Sequence, residues 1–133
     1  MVLRERKSRY ILAKKVSRLG YAMEGFNSLL CSMPALLVTL DNGVENTRYQ
    51  ELRIPTYFCH PYHSWGKVCI EQGIGILREF LPKKADLKDY SESDMYAMVE
   101  TINTTPMKCL SCQTPKEVFN EHTSLTLNPE CCA

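Results

Sequence analysis

Asp41, closing the run "ALLVTLD", and Glu71, inside "KVCIEQGIGILREF", are the two residues whose types and positions could do chemistry together. An acid directly after an apolar run sits where open α/β sheets place their sites, at the carboxyl end of a strand. Glu71 lies in a segment where Ile70, Ile74, Leu77 and Leu81 follow helical spacing. Carboxylates converging from a strand end and a facing helix suit magnesium or manganese, which prefer oxygen ligands. A pair of such ions clamps the attacking and leaving oxygens of phosphodiester chemistry. Lys67, Gly75 and Arg78 share the helical stripe of Glu71. A bare glycine between basic side chains lets a phosphate backbone come close, and Lys83 and Lys84 add charge just beyond. Spacing alone leaves a second reading open, in which Glu71 is a solvated helix residue.

Other groupings are weaker. Cys109 and Cys112, with Cys131 and Cys132, imitate a zinc ribbon. Four thiolates can enclose a structural zinc, but adjacent cysteines seldom reach one ion comfortably, so reduced, unpaired thiols are the simpler reading. Cys59, His60 and His63 could form a nucleophile pair, yet no orienting acid accompanies them. Tyr62 and Trp65 could stack on bases or anchor the Glu71 helix, which is the plainer role.

The elements that must position these residues alternate in type. Residues 1–16 read as a hairpin. A helix follows from Leu19 to Met33, ended by Pro34. The continuous apolar run 35–40 has the character of a strand buried on both faces, stopped by the "DNG" turn at 41–43. Residues 44–55 are loop or a poor helix, and 56–60 a short strand. The Glu71 helix stops at Pro82, and a second runs over roughly 91–104 with Ser91 and Asp94 as a capping box. Pro115 begins one more. The order is that of an α/β mixed sheet with flanking helices. Gly73 and Gly75 each weaken the Glu71 helix by about 1 kcal/mol relative to alanine. Gly75 makes sense as a gap beside the acid; Gly73 has no role that the sequence reveals.

With 133 residues, 44% hydrophobic and 23% charged, the chain has the size and composition of one globular domain. A net charge of +1 gives no global electrostatic case for nucleic acid, although the first eighteen residues are basic. No apolar run reaches the length of a membrane span. Seven cysteines in no regular framework fit a reducing cytoplasm.

Four segments then fall in a telling order: "TLDNG" (39–43), "YFCHPYHSW" (57–65), "EQGIGILREFLPKKADL" (71–87) and "INTTPMKCLSCQTPKEVF" (102–119). Together they resemble the catalytic core of bacterial insertion-sequence transposases of family thirty, which have a DDE site on an RNase H-like, integrase-type fold. "RERKSRYIL" (4–12) resembles the hairpin that precedes the first helix there. The resemblance implies a core over 1–120 with a tail at 121–133. It implies Asp41 as the second metal-binding acid, Glu71 as the third, magnesium or manganese as cofactor, and DNA as partner. Lys67, Arg78, Lys83 and Lys84 become phosphate contacts.

The departures carry their own expectations. Gln72, Gly73 and Ile74 stand where that family has asparagine, a small polar residue and asparagine. No residue, Glu5 included, aligns with the family's first acid, which lies on a central strand ahead of the opening hairpin. The region that recognises element ends also has no counterpart. Without the central strand the sheet splits, and each buried backbone group left unpaired costs about 1–3 kcal/mol against a domain stability of roughly 5–15 kcal/mol. The expectation is a transposase-core chain inactive alone, prone to associate through exposed sheet edges.

Overall fold

Two short β-ribbons form in place of one sheet. The computed structural model describes residues 1–16, 22–31, 33–43, 46–59, 68–82 and 84–126. Strands β1 (Val2–Arg4) and β2 (Ile11–Ala13) pair antiparallel, with Leu3 opposite Leu12. Strands β3 (Val38–Leu40) and β4 (Thr56–Phe58) pair parallel, with Thr39 opposite Tyr57. Around them lie helices α1 (Ala22–Leu30), α2 (Val68–Phe80), α3 (Glu92–Asn103) and α4 (Pro115–Thr126). Within the described residues, hairpin, helices and both later strands match the sequence expectation.

The hydrogen bonds show which way each strand faces. Met1 and Lys14 exchange backbone bonds at 3.1 and 3.0 Å, and the Glu5 amide donates to Tyr10 at 2.8 Å. Antiparallel alternation therefore turns the N–H and C=O groups of Val2 and Arg4 away from β2. In the other ribbon Val38 donates to Pro55, and Leu40 accepts from Cys59, both at 2.9 Å. Thr39 is left with its backbone groups on the edge away from β4. Among the described residues no strand lies between β1 and β3.

One helix nevertheless covers both ribbons. Leu3 from β1 packs in the cluster that Val38 and Leu40 from β3 form with Met23 and Phe26 of α1. Arg6, past the end of β1, donates from Nη2 to the Thr39 hydroxyl at 3.0 Å. A second cluster lies under α2 and α3, where Leu77, Leu81, Met95, Val99 and Ile102 surround Ile11 of β2. Ile70 and Ile74, expected in the buried stripe of α2, are only half-buried. The capping box of α3 is present: the Ser91 hydroxyl accepts from Asp94 at 3.1 Å, and Asp94 accepts from the Ser91 amide at 2.8 Å.

The run 35–40 departs from expectation. Val38 and Leu40 are buried, but Leu36 and Leu37 are 79% and 52% exposed. Pairing with β4 begins only at Val38, so the two leucines before it have no sheet to lie on.

Candidate metal-binding site

Asp41 leaves β3 at the end the sequence indicated, and a tight turn fixes it there. Asn42 Nδ2 donates to the Cys59 carbonyl at 3.0 Å, tying the carboxyl ends of β3 and β4 together. Asn46, only 5% exposed, folds back over the turn. Its Nδ2 donates to the Asp41 carbonyl at 3.0 Å and to Asp41 Oδ1 at 2.7 Å. The Gly43 amide approaches the same carboxylate oxygen at 3.4 Å. Asp41 is thus half-buried and held on one side.

Glu71 occupies the first turn of α2 and is exposed. Its carboxylate makes no hydrogen bond or ion pair with any described residue. Negative charge is favoured at a helix amino end, so the position suits either a solvated acid or a ligand kept free. No hydrogen bond joins Asp41 to Glu71. Among the described residues no group of three or more His, Cys, Asp or Glu side chains is gathered for a metal ion. Two carboxylates, one fixed and one free, are oxygen donors of the kind magnesium and manganese take.

The basic residues divide. Arg78, in the last turn of α2, and Lys84, just beyond Pro82, are exposed; Lys67 and Lys83 lie outside the described residues. An added Cβ at Gly75 would meet nothing within 4 Å, so the surface there is open. It borders a shallow cavity of about 680 Å³ whose cations are Arg4 and Lys108 and which neither Asp41 nor Glu71 lines.

Gly73 now has an explanation that sequence reasoning missed. A Cβ there would stand 2.9 Å from Cδ of Arg4. That side chain crosses the glycine so that Nη1 can donate to the Cys69 carbonyl at 2.5 Å. Arg9 adds a bond from Nη1 to Cys69 Sγ at 2.9 Å. The hairpin is latched onto the amino end of α2, and the latch needs a residue without a side chain. Burial lowers the pKa of Arg4 from its ordinary value, with the nearby Cys69 thiol opposing the shift. A basic hairpin and a helix glycine 69 residues apart carry no mutual signal in one sequence. Asn46 was equally silent.

Of the zinc-ribbon residues, Cys109 and Cys112 are exposed, while Cys131 and Cys132 lie outside the described residues, as do His60, Tyr62, His63 and Trp65.

The fold is that of an integrase catalytic core. The chain superimposes on the crystal structure of the catalytic core domain of BIV integrase with a TM-score of 0.71 at 18% identity, covering 94% of this chain and 87% of that one. Over about nine-tenths of its length it is also a homologue of insertion-sequence transposases. It is 36% identical over 127 residues to the transposase of IS1086 from Cupriavidus metallidurans, covering 89% of this chain and 38% of that protein. Over 133 residues it is 31% identical to the transposase InsI of IS30A from Escherichia coli, with 92% and 34% covered. The chain therefore spans little more than a third of the length of these relatives. No protein-family model matches it.

Proposed function

We propose that this chain is part of the catalytic core of a DDE transposase, acting on DNA in the bacterial cytoplasm, with Asp41 and Glu71 as two of three metal-binding acids. The remaining one, first in the family's order, comes with an extended strand that fills the space between β1 and β3. One observation carries this reading: two ribbons under the same helix turn unpaired backbone groups, those of Val2 and Arg4 and of Thr39, away from their own partners. Such edges accept a strand readily. The strand comes from polypeptide joined to this chain or from another chain, a second copy included.

In the completed site Asp41 and Glu71 would hold magnesium or manganese. Bound there, the metal supplies Lewis-acid activation of the attacking oxygen and charge stabilisation on the leaving one. The chain's own residues do the rest. Asn46 and the Gly43 amide fix one carboxylate, α2 presents the other, and Lys67, Arg78, Lys83 and Lys84 contact DNA phosphates while Gly75 lets the backbone approach.

The test is thermal unfolding of the purified chain with and without millimolar manganese, beside a strand-transfer assay. A ligand at a hundred times its dissociation constant stabilises by about 2.7 kcal/mol, which a melt resolves. Manganese is expected to raise the melting temperature, and Asp41→Asn or Glu71→Ala to remove that rise. A melt that manganese leaves in place overturns the metal reading. Strand transfer by the chain alone overturns the need for a third acid from elsewhere.

A further inference from the structure

Asn46 carries a polar atom that its surroundings do not satisfy. The residue is 5% exposed, and its Oδ1 is buried without a hydrogen-bond donor. Buried acceptors of this kind are uncommon in folded proteins. Its Nδ2, by contrast, is doubly engaged, both times with Asp41. Turning the amide over would place Oδ1 against the Asp41 carboxylate and carbonyl, three acceptors together, so the orientation follows from chemistry.

An apolar side chain of the same size would remove the unsatisfied oxygen, yet asparagine stands here. What asparagine adds is the grip on Asp41. Its amide holds Oδ1 at 2.7 Å and the backbone carbonyl of the same residue at 3.0 Å. A carboxylate clamped at one oxygen and at its own main chain cannot turn freely. The donor is neutral, so it orients the carboxylate without cancelling its charge as a lysine or arginine would.

We propose that Asn46 is a positioning residue for the divalent cation at Asp41, fixing the orientation of the carboxylate that binds it at some expense of stability. The inference rests on the reading of Asp41 as a metal-binding acid. Hydrogen-bonding partners behind a metal ligand typically change metal affinity 10- to 100-fold when lost.

The experiment uses the purified chain with Mn²⁺ alone as probe. Paramagnetic broadening of backbone amide resonances reports affinity, and a thermal melt without metal reports stability. Asn46→Leu is expected to weaken manganese binding at least about 10-fold while the metal-free melting temperature holds or rises. A merely structural role predicts the reverse: a lower melting temperature with unchanged affinity, which overturns the proposal. Asp41→Asn separates the two readings. If it abolishes binding and Asn46→Leu does not weaken it, the Asn46 role fails and the Asp41 reading stands. If neither variant alters binding, or the wild-type chain binds no manganese, the Asp41 reading fails and this one with it. Should Asn46→Leu not fold, the Asn46 side-chain amide resonances of the wild type decide under Mg²⁺. Shifted resonances support the role, and resonances unchanged while neighbouring backbone amides move overturn it.

Discussion

Asn103 and Ile11, 92 residues apart in sequence, are joined by two hydrogen bonds that mimic a strand pairing. Asn103 Oδ1 accepts from the Ile11 amide at 2.9 Å, and Nδ2 donates to the Ile11 carbonyl at 2.8 Å. Both residues are fully buried. Ile11 lies opposite Arg4 at a position whose backbone groups point to the outer edge of β2. A single amide side chain at the end of α3 thus closes that edge at Ile11.

Asn103→Ala leaves both backbone groups of Ile11 buried and unpaired. At about 1–3 kcal/mol for each, chemical denaturation is expected to show a loss of a few kcal/mol. Asn103→Asp keeps the acceptor but turns a carboxylate oxygen onto the Ile11 carbonyl, so it is expected to be at least as damaging. A variant as stable as the wild type would mean that β2 has another partner.

The two glycines of α2 separate in the same kind of measurement. Gly75→Ala adds a methyl group to open space and is expected to stabilise by up to about 1 kcal/mol through helix propensity alone. Gly73→Ala makes the same gain but pushes Arg4 off its path to Cys69. Its melting temperature is expected to lie below that of Gly75→Ala. Equal gains would show that the latch contributes nothing.

Acid should loosen the opening hairpin through Glu5. Burial alone would raise its pKa, but bonds from the Lys7 amide and from the hydroxyl and amide of Ser8 hold it below the ordinary value. A folded pKa below the unfolded one means stabilisation that is complete above the unfolded pKa, near about 4.3, and lost as pH falls through the folded value. Glu5→Gln is therefore expected to melt lower than the wild type at neutral pH. The gap should close in acid. A gap constant with pH would assign the effect to packing.

The proposed DNA binding is to be read from its salt dependence. Each phosphate contact with a duplex contributes about 0.9 to the slope of log affinity against log salt. Arg78→Ala and Lys84→Ala are each expected to flatten the slope by about that amount and to weaken binding similarly for unrelated sequences. Fluorescence anisotropy over a potassium chloride series measures both. An unchanged slope removes the residue from the interface.

What could be read in the sequence was local or periodic. The box at Ser91 and Asp94 was legible because four consecutive residues contain the whole interaction. The end of β3 was legible because "DNG" announces a turn in its own chemistry. Motif order carried the relation to transposases, which near-neutral charge and short strands would never have suggested. The exposed leucines before β3 were misjudged because an apolar run states a preference for burial, and only the neighbouring strand decides whether burial is available. Arg4 over Gly73, Asn46 on Asp41 and Asn103 on Ile11 were hidden for one reason: each is a long side chain or an amide whose partner is chosen by tertiary geometry.

Strand β1 has a consequence for how the molecule comes apart. Among the described residues it is the one element that feeds both hydrophobic clusters, Val2 reaching the cluster under α2 and α3 and Leu3 the one under α1. Three residues therefore transmit cooperativity between the two halves. While β1 stays docked they melt as a unit; once it lifts, each half faces heat with its own core. A strand bound alongside β1 would do more than complete a site, since by holding β1 down it would keep unfolding to a single calorimetric transition.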